Sequence, residues 1–159
     1  MNEGIIDTHN SIVSDSSEVW FLGDCSFGSE FKGVELFRRM KGHKHLILGN
    51  HDHFKHFDLW LTAFDTIQHY KEISYYKQKI CLFHFGQRVW NKSHHGAWQL
   101  HGHSHGSLPP HGKSLDVGLD SPWLTGKKEH RPFSFEEIKE FMDKQPVAFS
   151  DHHGEKTND

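Results

Sequence analysis

Cysteine is nearly absent from this chain. Cys25 and Cys81 are the only two in 159 residues, too few for a disulfide scaffold and without the paired spacing of a zinc finger. Cys81 lies in an apolar run and reads as a small core residue, whereas Cys25 follows Gly23-Asp24 and could stand near a site. Long hydrophobic runs are missing as well. No stretch approaches the roughly 18 apolar residues a membrane-spanning helix needs, and no secretory leader is visible. A reducing, cytoplasmic setting and no membrane partner are the resulting expectations. Positive charge is not in excess either. The formal net charge is −3, so no global field draws the protein to nucleic acid. Aliphatic residues are sparse, and hydrophobic residues make up 35%. Thirteen Phe and five Trp compensate, because each ring can bury roughly 150–250 Å². The length fits one domain, here expected over residues 1–150. A polar tail should follow at 151–159.

Histidine is abundant, at 17 residues. It is the commonest metal ligand and the side chain that exchanges protons nearest neutral pH. His94, His95, His101 and His111 read as solvated loop residues, as do His152 and His153 in the tail.

The hydrophobic periodicity predicts an α/β fold. Ile5, Ile6, His9, Ile12 and Val13 share one face of a helix over residues 2–13. Val19–Leu22 and Leu46–Leu48 are short continuous apolar runs, as in strands covered on both faces. A helix is expected over Gly33–Met40 and another over Phe54–Phe64, with Phe57, Leu61 and Phe64 inward. Ile67–Tyr76 and Lys79–Phe83 read as two strands joined at Lys77-Gln78. Ala97–His101 and Leu115–Leu119 read as two more, with a loop over 106–112 between them. Ser134 and Glu137 have capping-box spacing before a helix whose apolar stripe is Phe135, Ile138, Phe141 and Met142. Early alternation of strands and helices, followed by clustered strands, implies mixed or stacked sheets with helices outside.

Four apolar runs stop at a group that can bind a metal. They end in Gly23-Asp24, in Gly49-Asn50-His51-Asp52, in His84, and in His101-Gly102-His103-Ser104-His105. Sites in α/β sheets form beyond the carboxyl ends of strands. A carboxylate, an amide oxygen and imidazoles suit a divalent transition metal: manganese first, with iron, zinc or nickel as alternatives, as one or two ions. Two such ions about 3.5–4 Å apart can activate a water and clamp the oxygens of a phosphoryl displacement.

These motifs, in this order, resemble those of the calcineurin-like metallophosphoesterases. The resemblance spans Val19 to Ile138 and includes Asp116-Val117-Gly118. It implies a layered α/β/β/α sandwich and hydrolysis of phosphomonoesters or phosphodiesters, with nucleic acid only as one class of substrate. Asp24 would bridge two metals. Asn50, His84 and His103 would complete one, and His105 would serve the other. His51 would protonate the leaving oxygen and Asp52 would orient it.

Members of that family open with a strand ending in Asp-x-His. Asp7-Thr8-His9 has that form but reads as a decoy. Its helical periodicity sets residues two apart on different faces. Only nine residues, Asn10 to Glu18, follow it before the next strand, whereas a parallel crossover needs roughly 10–12 or more. The chain therefore resembles a member without that first strand. One metal site would be complete, the other weak, catalysis reduced, and an exposed sheet edge open to homodimer pairing. The competing reading is a non-catalytic metal-binding or interaction module on the same fold.

Overall fold

The computed structural model describes residues 2–25 and 28–148; the tail expected at 151–159 lies outside them. The chain is a mixed α/β structure with two sheets. The first is parallel and holds β1 (Glu18–Phe21), β2 (His43–Ile47) and β3 (Thr66–Gln68), in that spatial order. The second holds β4 (Tyr70–Tyr75), β5 (Gln78–Phe83), β6 (Trp98–His101) and β7 (Ser114–Asp116). Only its β4–β5 pair is antiparallel; β5, β6 and β7 run parallel.

The period of two in each strand divides the core. Phe21 and Leu46 point toward α1 (Asn2–Ile12), α2 (Glu30–Arg38) and α3 (Phe57–Trp60). There they meet Ile6, Val34, Phe37, Met40, Trp60 and Phe64. Trp20, Leu22 and Ile47 point the other way and pack on Ile80, Leu82, Trp98, Leu100 and Leu115 of the second sheet. The two sheets thus share one apolar interior. The last helix, α4 (Phe135–Asp143), adds Ile138 and Met142 to that same interior. The opposite face of the second sheet presents Cys81, which packs on Trp90 and Ala97 from the segment between β5 and β6. The expected capping box at the start of α4 is present: Glu137 N–H donates to Ser134 Oγ at 3.2 Å and Ser134 N–H to Glu137 Oε2 at 2.9 Å.

Residues 2–12 form the expected helix α1, with Ile6, His9 and Val13 buried at helical spacing. Asp7-Thr8-His9 therefore lies on a helix. His9 Nε2 sits 3.0 Å from the Lys41 carbonyl, on the approach to β2 and across that strand from Asn50.

Three expectations fail for identifiable reasons. The helix predicted over 54–64 shrinks to four residues, Phe57–Trp60. His56 has φ of −119° and ψ of 68°, outside the helical region, so the helix cannot extend back past it; Glu30 holds this bend by accepting the N–H groups of Lys55 and His56 at 2.8 and 3.1 Å. The inward face then falls on Trp60, Ala63 and Phe64, leaving Phe57 and Leu61 at 45% and 46% exposure. The strand predicted over 67–76 is two strands, because the chain leaves one sheet and enters the other at His69. Its hairpin turns at Tyr76-Lys77, one residue earlier than expected, with φ of 45° and 65°. Finally, the strand expected over 115–119 stops at Asp116, whose carboxylate accepts the Gly118 N–H at 2.9 Å and bends the chain away.

Candidate metal centre

The two sheets meet at the carboxyl ends of β1, β2, β5 and β6. The contact that joins them is polar: His84, just past β5, sets its Nδ1 2.6 Å from the carbonyl oxygen of Leu22, just past β1. A carbonyl only accepts, so Nδ1 must carry the proton. In the neutral ring Nε2 is then a bare lone pair. Three further donor groups converge on it: Asn50 Oδ1 at 3.0 Å, His103 Nδ1 at 3.2 Å and Asp24 Oδ2 at 3.4 Å. Asp24, His84 and His103 each offer one atom within 4.8 Å of the others, and they are the one such group among the described residues.

Lone pairs gathered this closely need a proton or a cation among them, and a proton on His103 Nδ1 can meet His84 Nε2. A single proton on the imidazole can satisfy one neighbour only. A cation satisfies all four. Bonds of about 2.0–2.2 Å to nitrogen and oxygen place neighbouring ligand atoms about 3.0–3.4 Å apart, which matches the observed spacings. The donor set of carboxylate, amide oxygen and two imidazoles suits a first-row transition metal. His84 is 1% exposed, and its hydrogen bond to Leu22 fixes the ring plane, as metal-ligating imidazoles require.

Glycine makes the geometry attainable. Gly23 has φ of 99° and lies against His84, so a Cβ there would overlap Nδ1. A Cβ on Gly49 would overlap Asp24 Oδ1 and come within 2.6 Å of the Asp24 nitrogen. Asp24 itself has φ of 55°, a left-handed conformation that a non-glycine residue adopts at a cost of about 1–2 kcal/mol. The strain aims its carboxylate at His84, while Oδ1 accepts the His51 N–H at 3.0 Å.

Asp52 builds the site through backbone contacts. Its carboxylate accepts three backbone N–H groups: Asp24 and Gly49 at 2.8 Å on Oδ2, and Cys25 at 2.9 Å on Oδ1. It thereby ties the end of β1 to the end of β2. His51 stands exposed beside the cluster.

His105 is not brought to the cluster. It is exposed, and its Nδ1 pairs with Asp120 Oδ2 at 2.5 Å. His103 and His105 both have positive φ, 62° and 49°, so the loop turns between them. Asp116 pins that loop by accepting the Gly106 N–H at 2.9 Å. His101 closes β6, as the strand expected over 97–101 has it, but it is 2% exposed and not solvated. Burial pushes its pKa down, against the pull of the Gly102 carbonyl and Asp116. The Cys25 thiol is pushed well up by burial and by the carboxylates of Asp52 and Asp24, so it stays neutral. Sequence reasoning missed the Leu22 carbonyl, Asp120 and Glu30. None had a local signal, since each acts through a residue at least 15 positions away.

No helix among the described residues is long and apolar enough to cross a membrane. No family model matches the sequence. The chain is similar to the uncharacterized protein MJ1445 of Methanocaldococcus jannaschii, at 27% identity over 93% of this chain and 78% of that protein. Its structure is similar to that of AQ665, a protein of unknown function from Aquifex aeolicus, with a TM-score of 0.62 at 19% identity, covering 87% of this chain and 83% of that one. The likeness to AQ665 is one of fold.

Proposed function

We propose that this chain is a metal-dependent phosphoesterase of the calcineurin-like type, with the layered sandwich of that family and a divalent transition metal, manganese foremost, held by Asp24, Asn50, His84 and His103. The observation that carries the reading is the convergence of four electron-pair donors on one point, with His84 already committed to Leu22 on its other side. A divalent cation bound there would polarise phosphoryl oxygens and make an attacking water more acidic. Water adds to phosphorus, the ester P–O bond breaks, and the leaving oxygen takes a proton from the imidazole of His51, whose backbone N–H is tied to Asp24 Oδ1. The proton lost by the water passes to solvent. Asp52 keeps the strand ends in register while this occurs. Manganese-dependent cleavage of a chromogenic phosphodiester is the test, and no turnover with Mn, Fe, Zn or Ni refutes it.

One observation favours a second reading, a metal-binding module without catalysis. His105 is engaged by Asp120, so a second cation beside Asp24 would have to pull it free. That reading expects one metal per chain and no turnover, with folding and metal affinity unchanged in His51→Ala.

A further inference from the structure

A cleft of about 490 Å³ opens directly beside His51, within the size range of small-molecule sites. His51 lines it, and the same residue touches Asp24 through its backbone N–H. A phosphate seated at the metal centre would therefore direct one ester substituent into this cleft. We propose that the cleft selects esters whose leaving group carries a flat aromatic ring; this rests on the phosphoesterase reading and specifies its substrate class.

The walls support a ring. Phe31 opens α2 and stands at 64% exposure, a position that core packing does not explain. Its ring lies 5.4 Å from that of His56 at a tilt of 47°, so the two rings touch and form one aromatic edge of the cleft. Phe54 stacks on Trp60 at 4.1 Å and forms the floor. The frame is fixed in advance by Glu30, whose carboxylate accepts from Lys55 N–H, His56 N–H and Trp60 Nε1 at 2.8 to 3.1 Å. Through those three donors Glu30 holds the start of α2, the approach to α3 and Trp60 in one frame. A planar ring can stack on the exposed face of Phe31 with its edge against His56, whereas a flexible alkyl group covers less of that face and loses more rotational freedom.

The test uses the full chain loaded with Mn²⁺ and calorimetric titration with four probes: inorganic phosphate, n-butyl phosphate, phenyl phosphate and adenosine 5′-monophosphate. Phenyl phosphate or the nucleotide should bind about tenfold more tightly than butyl phosphate. The nucleotide arm separates a ring spaced by a sugar from one bonded directly. Phe31→Ala should abolish the preference and leave the affinities for Mn²⁺ and inorganic phosphate unchanged, and Phe31→Trp should keep it. Phe31 is exposed, so both variants should retain the native melting profile. If inorganic phosphate binds but the ring-bearing probes gain nothing over butyl phosphate, or keep their gain in Phe31→Ala, the cleft proposal alone is overturned. If inorganic phosphate itself fails to bind, the phosphoesterase reading fails and the proposal with it.

Discussion

Replacing Asp52 by Asn tests whether this residue builds the site or acts on His51. The carboxylate is 8% exposed and accepts three backbone N–H groups. In the carboxamide one oxygen can keep the Asp24 and Gly49 N–H groups, now as neutral bonds. The NH₂ must then face the Cys25 N–H, donor against donor. Hydrogen bonds to a charged group contribute about 1.5–3 kcal/mol each, and an orphaned buried donor costs about 1–3 kcal/mol. Losing one bond and weakening two gives a destabilisation of about 3 kcal/mol, which lowers the melting temperature of a chain this long by about 6–12 °C. Because Asp24 is displaced with the strand end, Mn²⁺ affinity should fall at least tenfold. Urea unfolding of the metal-free protein and calorimetric Mn²⁺ titration measure the two effects separately. A loss below about 1 kcal/mol with native metal affinity, accompanied by a changed pH–rate profile, would return Asp52 to the role of orienting His51 and refute the clamp.

Three further outcomes follow from the same contacts. Gly49→Ala places a methyl against Asp24 Oδ1 and 2.8 Å from His84 Cε1; Mn²⁺ affinity should drop more than tenfold for a stability cost of about 1–3 kcal/mol, and native affinity in the variant counts against the assembled centre. His9 is buried with its pKa pushed below the ordinary value near 6.5 by burial, so below that pH the unfolded chain binds more protons than the folded one. Stability should therefore fall as pH drops from about 6.5, by at most about 1.4 kcal/mol per pH unit, and His9→Gln should flatten that slope in urea titrations. Glu137 has the opposite sign. Its hydrogen bonds to Arg131 hold the carboxyl at about 2, against 4.5 when free. Its contribution is full above pH 4.5 and is lost as pH falls toward 2. Since its side chain is 38% exposed, solvent screening limits Glu137→Gln to about 1 kcal/mol at neutral pH, less in high salt.

The parts of the fold that were legible in the sequence are those in which neighbouring residues decide the outcome. The apolar runs ending at Leu22, Leu48, Phe83 and Leu100 lie on β1, β2, β5 and β6 or one residue beyond, because a strand buried on both faces leaves a continuous hydrophobic signature. The start of α4 was legible because a capping box is written in four consecutive residues. The parts that were not legible are settled by partners remote in sequence. Glu30 captures Lys55 and His56 from 25 and 26 positions away and holds the bend at which α3 starts. His69 marks a change of sheet that no propensity announces, since the residues before and after it are equally suited to a strand. His101 was legible as the end of a strand but not as buried, because the packing over its side chain comes from residues remote in sequence.

The same distinction governs the candidate site. Which residues converge was legible in part, since strand ends that carry Asp24, Asn50, His84 and His103 can meet only if the sheets stack. What holds them apart or together was not. The Leu22 carbonyl and Asp52 act through the backbone, where side-chain identity gives little warning. Their arrangement has a thermodynamic consequence. The four donors drawn to one point repel wherever no proton bridges them in the metal-free chain, and Asp24 carries backbone strain as well. The Asp52 clamp, the His84–Leu22 contact and the shared apolar interior must together offset that cost. A cation that binds the folded chain and not the unfolded one reverses the repulsion and stabilises the fold in proportion to its affinity. The gain in resistance to unfolding on adding Mn²⁺ should therefore rise and fall with metal affinity across variants of Asp24, Gly49 and Asp52. Both should stay at the native level in variants of His51 and Phe31, which touch the cleft but take no part in the clamp.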